Sequence, residues 1–223
     1  MIIVLFDLEG TLYSTRMGHG MLRYAVSNRR WPVVFRYLVS HIPKHLLSIF
    51  KLISRKTVLY HATANLAWIV EGLSLEEASK VFDWLVEDFI VPTMRVEVVH
   101  RLKGHQRKGH TPILVSGGFI PVLSRIASYL DASAYIGTAL EVTDSRYTGR
   151  IIPPVVIGVE KAHHLNKYIE AHGLDVQWDK SYAYADSIHD LAMLELVANP
   201  VAVHPDRELS RLATEREWEV IGE

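Results

Sequence analysis

The first residues of the chain, Met1–Leu5, form a short apolar run that stops just before two carboxylates. A strand without polar residues on either face is typical of a parallel sheet that helices cover on both sides. Asp7 and Glu9 follow at the end of this strand, and Gly10 allows the backbone to turn sharply away. Ligands bind outside the carboxyl ends of strands in open α/β sheets, so we expect Phe6–Leu12 to be a catalytic edge. The alternative is an ordinary polar turn after a strand.

The composition limits the classes of protein to which the chain can belong. With 223 residues, of which 49% are hydrophobic and 22% charged, it can form one large domain or a domain with an insertion. A formal net charge of −1 predicts no general affinity for nucleic acid. The lack of cysteine excludes disulfides, thiolate metal sites and a cysteine nucleophile, and it suits the reducing cytoplasm, where we expect the protein to lie. We expect no signal peptide, because no basic segment precedes the short apolar run.

Charged residues are unevenly distributed along the chain. Gly10–Val70 contains no Asp or Glu, whereas nine basic residues fall within it: Arg16, Arg23, Arg29, Arg30, Arg36, Lys44, Lys51, Arg55 and Lys56. We therefore expect a positive field over this part of the molecule. Three explanations of these basic residues remain open: a solvated helix face, a surface that attracts an anionic substrate, or a surface that contacts anionic lipid of a membrane. Basic residues and Pro43 interrupt the apolar stretch Trp31–Ile53, so we do not expect it to span a membrane.

Helices and strands are predicted to alternate over most of the chain. Residues 13–95 have helical patterns, with two helices separated at Pro43 and a capping box, Ser74 with Glu77, that starts another. A hairpin is expected to turn near Asp144–Ser145. The other predicted strands lie at 111–115, from 134, at 181–185 and at 201–203, and the other helices at 98–108, 121–130, 159–172, 190–198 and 207–217. The predicted fold is α/β, a doubly wound and mostly parallel sheet with a helical insertion after the first strand.

Four short motifs occur in order, each at the end of a predicted strand or the start of a helix. They are Asp7-x-Glu9-Gly10-Thr11, Ser116-Gly117-Gly118, Lys161 and Asp186-Ser187-x-x-Asp190. Each motif alone is weak, because turns, surface lysines and helix caps use the same residues. Their order and placement together are specific. Over the whole chain, they resemble the motifs of the haloacid dehalogenase-like (HAD) hydrolase superfamily.

The segment Asn199–Asp206, which follows the last motif, makes the chain most similar to the phosphoserine phosphatase-like subgroup of that superfamily, subfamily IB. The resemblance implies a Rossmann-like hydrolase core formed by residues 1–13 and 97–223. It also implies that residues 14–96 form a helical cap domain inserted after the first strand.

The residue types in these motifs suit phosphoryl transfer, which needs a nucleophile, neutralisation of phosphate charge and a proton for the leaving group. Asp7 can act as the nucleophile and form an aspartyl-phosphate, while Glu9 can donate the proton and later activate water. Oxygen ligands in a chain without cysteine favour Mg²⁺ as the cofactor. Side-chain oxygens of Asp7 and Asp186 are expected to bind it, and the resemblance implies the main-chain carbonyl of Glu9 as a further ligand. Asp190 is expected to bind the metal directly or to orient a metal-bound water.

The second and third motifs are expected to bind the substrate phosphate. Ser116 offers a hydroxyl, and the amides of Gly117–Gly118 can approach a phosphate oxygen closely. Lys161 is a point charge that can neutralise both the phosphate and Asp7. Thr11 is expected to shape the turn after the first strand, either as a cap or by a direct contact.

Two features separate the chain from the common pattern of its subgroup. Glu9 stands where these phosphatases usually carry Asp, which keeps the acid–base chemistry but weakens any transfer of substrate from them. The resemblance implies that phosphoserine phosphatases hold the substrate's amino group with an acid soon after the first motif, whereas here no acid follows until Glu71. Phosphoserine is therefore a poor fit unless Glu71 folds back. A basic and apolar cap suits an anionic or amphiphilic phosphomonoester better. The candidate cap contacts are Arg16, His19, Arg23 and Trp31.

The sequence therefore predicts a Mg²⁺-dependent phosphomonoester hydrolase that acts through an aspartyl-phosphate on a small phosphorylated metabolite. A phosphotransferase or mutase that uses the same intermediate is one alternative. A lipid-phosphate or membrane-surface phosphatase, or a binding module with the same pocket, is another. The sequence predicts neither the substrate itself nor the oligomeric state.

Overall fold

The computed structural model describes residues 1–222 of the chain, with Arg55 described by its backbone alone. Seven strands form a single sheet in the order β4-β3-β2-β1-β5-β6-β7, and every neighbouring pair is parallel except β3 with β4. The strands are β1 Ile3–Phe6, β2 Thr111–Phe119, β3 Ala134–Thr143, β4 Arg146–Ile152, β5 Tyr182–Ala185, β6 Asn199–Val203 and β7 Glu219–Ile221. The predicted fold class, a mostly parallel α/β sheet, is confirmed.

Helices precede, connect and cover these strands. The α-helices are α1 Met17–Ser27, α2 Trp31–Ile49, α3 Arg55–Asn65, α4 Leu75–Trp84, α5 Val96–Arg107, α6 Ile120–Leu130, α7 Val159–Ala171, α8 Leu191–Leu194 and α9 Arg207–Glu215. Shorter helical turns span Leu66–Val70, Leu85–Ile90, Val91–Thr93, Trp178–Lys180 and Ile188–Asp190. Within the described residues, no helix is both long enough and apolar enough to cross a membrane.

β1 lies at the centre of the sheet, between β2 and β5, and all four of its residues are buried. Its side chains alternate between two cores, so that Val4 and Phe6 pack on one face while Ile3 and Leu5 pack on the other. Phe6 also stacks on Tyr184 of β5, with ring centroids 4.6 Å apart. The end of β1 is therefore held from both sides, which fixes the position of the acidic residues that follow it.

The predicted hairpin is confirmed, since β3 and β4 are antiparallel and turn at Asp144–Ser145, where both residues have positive φ. The capping box before α4 is also confirmed, because Ser74 and Glu77 each accept a hydrogen bond from the other's backbone amide.

Three details of the predicted elements are wrong. The helix does not break at Pro43, which lies within α2. Pro43 is exposed, so water can bond the Val39 carbonyl that loses its N–H partner. The predicted strand 111–115 continues to Phe119, with an irregular register between Val115 and Phe119.

The third error lies near the C-terminus. Instead of the predicted helix 190–198, the structure has only the short helix α8. The amide of Ala198 donates a hydrogen bond to the carbonyl of Trp178 instead of to a helical carbonyl, and the chain then enters β6. The strand β7 has too few residues for a clear alternating pattern and was not predicted.

A buried histidine links α5 to the central strands. His105 Nε2 lies 2.9 Å from the Tyr184 hydroxyl, and its Nδ1 lies 3.0 Å from His110 Nδ1. Burial lowers the pKa of His105 to about 4, and the nearby positive charge of Lys108 and a protonated His110 would act in the same direction. His105 is therefore neutral in the folded protein at neutral pH.

We expect His105 to make stability depend on pH. Its pKa is lower in the folded chain than the 6.5 of an unperturbed histidine, so protons favour the unfolded chain as the pH falls below that value. Between pH 7 and about 5 this should remove roughly 1 kcal/mol of unfolding free energy, allowing for solvent screening. Urea unfolding of the His105→Gln variant should lack this loss, whereas the exposed control His163→Gln should keep it. Identical pH profiles for wild type and His105→Gln would contradict the assignment.

Candidate active site

A buried ion-pair cluster lies at the carboxyl ends of β1 and β5. The Lys161 ammonium, from the first turn of α7, lies 2.5 Å from a carboxylate oxygen of Asp7 and 2.7 Å from one of Asp190. All three side chains are at least nine-tenths buried. Asp7 directly follows β1, and its amide donates a hydrogen bond to the carbonyl of Tyr184 on β5. The backbone of the sheet thus fixes one member of the cluster and α7 supplies its counter-charge.

Asp186, directly after β5, brings a third carboxylate to the cluster. Oxygen atoms of Asp7, Asp186 and Asp190 all lie within 4.8 Å of one another, a spacing that can hold a metal ion. The Thr11 hydroxyl lies between two of these groups, 3.2 Å from Asp7 Oδ2 and 3.4 Å from Asp186 Oδ1. Thr11 therefore makes a direct contact with the site as well as shaping the turn.

The charges in the cluster do not balance. Burial raises the pKa of Asp186, and repulsion from Asp7 and Asp190 raises it further. Burial also raises the pKa of Asp190, although Lys161 opposes the shift. Burial alone would lower the pKa of Lys161, but attraction to Asp190 and Asp7 outweighs it and raises this pKa. Three carboxylates around one ammonium leave an excess of negative charge in a buried place, which a divalent cation would neutralise.

Glu9 is held apart from this cluster by the helix that follows it. Its Oε1 accepts a hydrogen bond from the amide of Met17, the first residue of α1, at 3.0 Å. Burial raises the pKa of Glu9 to about 7, and the negative charge of Asp7 adds to the shift, while the Met17 amide opposes it. A carboxyl group with this pKa can both donate and accept a proton near neutral pH.

The motif at 116–118 lies beside Asp7 at the irregular part of β2. These residues fall between the ladder pairs Val115–Ile136 and Phe119–Thr138, so they leave the regular pairing with β3. The buried Ser116 hydroxyl accepts a hydrogen bond from the amide of Gly118 at 3.2 Å. Bulges of this kind are frequent next to binding sites because they redirect backbone and side-chain groups.

Asp206 supports the loop that carries Asp186 and Asp190, a role that the sequence motifs do not indicate. Its Oδ2 accepts hydrogen bonds from the Ser187 hydroxyl at 2.7 Å and from the amide of Ile188 at 3.0 Å. Its amide donates to the Asp186 carbonyl at 2.7 Å, and its Oδ1 caps α9. An Asp just before a helix predicts the cap, but only the fold reveals the second contact.

These residues line an open cleft of about 530 Å³. All of the predicted site residues reach it, namely Asp7, Glu9, Ser116, Gly117, Lys161, Asp186 and Asp190. The opposite wall is formed by Arg16, just before α1, by helices α1, α2 and α3, and by the turn after α3. Its side chains include Arg16, His19, Leu22, Tyr37, His41, Leu59, Ala62, Thr63 and Leu66. The predicted contacts Arg23 and Trp31 are not in this lining, and Trp31 instead lies on the outer side of α2 with 57% of its surface exposed.

Glu71 does not fold back toward the cleft. Its carboxylate lies 2.6 Å from the guanidinium of Arg36, and it is absent from the residues that line the cleft. The wall contributed by α1, α2 and α3 therefore carries basic, neutral and apolar side chains but no carboxylate.

Comparisons with known proteins agree with the motifs. The model of the haloacid dehalogenase-like hydrolase family matches residues 4–195. A histidinol-phosphatase of Neisseria meningitidis is 27% identical over 99% of this chain and 98% of its own length. A putative hydrolase of Mycobacterium leprae is 30% identical over 68% of this chain, but the match spans only half of that longer protein.

Solved structures agree on the fold. A protein of unknown function from Bordetella pertussis Tohama I superposes with a TM-score of 0.85 at 25% identity, covering 99% of this chain and 97% of that one. A substrate-bound phosphoserine phosphatase superposes with a TM-score of 0.67 at 18% identity, covering 100% and 93% of the two chains. The family match spans most of the chain, and its motifs meet in one cleft. This protein belongs to the haloacid dehalogenase-like hydrolases.

Proposed function

We propose that the protein is a Mg²⁺-dependent phosphomonoester hydrolase that acts through an aspartyl-phosphate on Asp7. The observation that carries the proposal is the buried cluster in which Lys161 lies between Asp7 and Asp190 while Asp186 adds a third carboxylate. Phosphatases among its relatives support the same reaction class. A chain without cysteine also suits the cytoplasm, which we propose as its location.

The donor set suits a hard divalent cation. Asp7, Asp186 and Asp190 offer carboxylate oxygens only, and their net negative charge is buried. Mg²⁺ is bound in this way, by a few carboxylates together with water and substrate phosphate. We assign these three side chains and the main-chain carbonyl of Glu9 as the candidate ligands. When bound, the cation would neutralise charge on the phosphate oxygens.

Asp7 would act as the nucleophile and Glu9 as the general acid and base. A carboxylate oxygen of Asp7 attacks phosphorus, and the bond from phosphorus to the leaving oxygen breaks. Glu9 has a pKa of about 7, so a substantial fraction of it is protonated near neutral pH, and in this form it gives its proton to that oxygen. It then takes a proton from the water that attacks the aspartyl-phosphate, which releases inorganic phosphate and restores Asp7.

Phosphate binding falls to the residues around Asp7. Lys161 offers a fixed positive charge, since its pKa is raised and it stays protonated. The Ser116 hydroxyl and the amide of Gly117 lie at the bulge in β2 and can donate hydrogen bonds to phosphate oxygens. These groups are held by the sheet and α7, so they need little rearrangement when phosphate binds.

We further propose that residues 14–96 form a cap over a core of residues 1–13 and 97–223. The cleft lies between α1–α3 on one side and the strand ends on the other, which supports this division. In such an arrangement the core performs the chemistry and the cap wall selects the substrate.

The cap wall favours a phosphomonoester that lacks an ammonium group. It presents Arg16, His19 and His41 without a carboxylate, and Glu71 is already bound to Arg36. Burial lowers the pKa of His41, so this ring lines the cleft as a neutral group near neutral pH. Leu22, Leu59 and Leu66 add apolar surface.

A metabolite panel should show this preference. We expect kcat/KM for phosphoserine and histidinol phosphate to be at least about tenfold lower than for glycerol 3-phosphate or lysophosphatidate, because an ammonium group would be left unpaired. A His41→Glu variant should raise the relative rate with phosphoserine, whereas His45→Glu, one turn further along α2 and outside the lining, should not. A wild-type preference for phosphoserine or for histidinol phosphate would contradict this assignment.

Replacing the nucleophile should abolish turnover. We expect Asp7→Asn to lower phosphate release from p-nitrophenyl phosphate at least a thousandfold, roughly the scale seen when a nucleophile is lost. The exposed Asp179→Asn variant controls for the lost charge. Both are assayed with Mg²⁺ and with a chelator, and wild type should be active only with Mg²⁺. An active Asp7→Asn enzyme would refute the mechanism.

The same assay distinguishes hydrolysis from transfer. With added glycerol as acceptor, a hydrolase releases phosphate and nitrophenol in equal amounts. A phosphotransferase releases less phosphate than nitrophenol, because the phosphoryl group passes to the alcohol.

Gly10 provides a test of the metal ligands. It has φ +88°, and a β-carbon there would lie 2.1 Å from Asp186 Oδ2, so any side chain must displace that carboxylate. We expect Gly10→Ala to weaken Mg²⁺ binding, measured by calorimetry, at least about tenfold. Losses of this size are typical when a residue that positions a metal ligand is replaced. Gly109→Ala is the matched control, since Gly109 has φ +75° but open space around it. Equal Mg²⁺ affinities in the two variants would contradict the assignment of Asp186.

A further inference from the structure

Helix α2 exposes most of its apolar side chains and buries only a few, such as Val34. Seven of them form what we call the apolar stripe, and each has between 42% and 70% of its surface exposed: Trp31, Phe35, Leu38, Val39, Ile42, Leu46 and Ile49. At 3.6 residues per turn these positions fall within an arc of about 100° and span about 27 Å along the helix. The stripe is therefore one continuous face, and it looks outward.

The opposite side of α2 packs against the protein, yet it carries several polar groups. Tyr37 and His41 line the cleft, and the Lys44 ammonium turns back to the hydroxyl and carbonyl of Ser40. An amphipathic helix of a water-soluble domain normally has the reverse arrangement, with the apolar side against the core. A large exposed apolar face is typical of a surface that binds a partner.

The surroundings of the apolar stripe are basic. Residues 10–70 contain no acid, and exposed Arg29 and Lys51 lie at the two ends of α2, while exposed Lys56 lies at the start of α3. Beyond α2 the loop exposes Phe50 and Leu52, which are 73% and 70% exposed. Apolar side chains flanked by cations are the combination by which helices bind to the surface of an anionic bilayer.

We propose that the apolar stripe and the Phe50–Leu52 loop dock on an anionic lipid bilayer, with α2 lying in the plane of the membrane surface. The apolar side chains enter the boundary of the acyl chains, and the flanking Arg and Lys side chains contact lipid phosphates. A second copy of the chain fits this face poorly. A symmetric contact would bring two basic surfaces together with no carboxylate from residues 10–70 to balance them.

Docking would set the cleft close to lipid. The same helix that carries the apolar stripe contributes Tyr37 and His41 to the cleft wall, and α3, which packs on it, contributes Leu59. The inference does not depend on hydrolysis, since it concerns the outer face of α2 and no residue of the ion-pair cluster.

The test is sedimentation of the full-length protein with vesicles. One set contains phosphatidylcholine with an equal amount of phosphatidylglycerol, and the other contains phosphatidylcholine alone. We expect the wild-type protein to pellet with the anionic vesicles and remain in solution with the neutral ones. About 0.5 M salt should weaken binding, because it screens the electrostatic part.

Two sets of variants separate the apolar and the charged contributions. The triple replacement Phe35→Ser, Ile42→Ser and Ile49→Ser should weaken binding at least about tenfold. Its matched control replaces three exposed apolar residues elsewhere by Ser: Tyr129, Val142 and Ile152. Reversing Arg29, Lys51 and Lys56 to Glu should weaken binding by more than about fivefold for each charge. Its control reverses the exposed Lys108, Lys167 and Lys180.

Thermal unfolding would check that each variant folds, and hydrolysis of p-nitrophenyl phosphate in solution should be unchanged in all of them. Equal binding to neutral and anionic vesicles would overturn the proposal, as would unchanged binding by the stripe variant. The proposal would also be overturned if the wild-type protein did not pellet with anionic vesicles and instead formed a dimer in sedimentation equilibrium. If the stripe variant were then monomeric, the apolar stripe would bind a second copy of the chain.

Discussion

Lys161 lies between Asp7 and Asp190 in a place that water barely reaches, and the arrangement of the cleft follows from that contact. A buried ammonium group is tolerated only when carboxylates surround it, and a buried carboxylate only when cations or donors do. The centre of the sheet fixes Asp7, the first turn of α7 fixes Lys161, and the loop supported by Asp206 fixes Asp186 and Asp190. Removing Lys161 would leave three carboxylates within 4.8 Å of one another without a protein counter-charge. The site is thus the meeting point of three separate parts of the fold.

This cluster also gives a physical reason for the proposed dependence on a metal ion. One ammonium cannot balance three carboxylates, and a phosphate group would add further negative charge. When bound, the proposed Mg²⁺ would lower that charge. The proposed phosphate ligands, Lys161, Ser116 and the Gly117 amide, are already held in position. Glu9 stands apart, with burial raising its pKa to about 7, so it suits proton transfer rather than charge balance.

The sequence predicted the mostly parallel sheet because most of its strands have a clear apolar pattern, and parallel strands end at the same edge. That rule brings Asp7, Ser116 and Asp186 together, since each follows a predicted parallel strand. It does not place Lys161, which lies in the first turn of α7 after the antiparallel strand β4. The cap could not be predicted to the same depth. The apolar pattern of residues 31–49 is that of a buried helix face, and only packing reveals that α2 turns this face outward. Glu71 could reach the cleft in principle, but the fold sets it against Arg36. The contact of Asp206 with Ser187 depends on the adjacency of β5 and β6.

The central claim is that Asp7 becomes phosphorylated during turnover, and the intermediate itself can be trapped. Acid quenching of the enzyme in the steady state, followed by borohydride reduction, converts an aspartyl-phosphate to homoserine, which mass spectrometry locates in the peptide containing residue 7. The proposed mechanism predicts homoserine at position 7 in wild type with substrate and none without substrate. Homoserine at the position of another aspartate would contradict it. Steady phosphate release with unmodified Asp7, under conditions in which hydrolysis of the intermediate is rate-limiting, would contradict it as well.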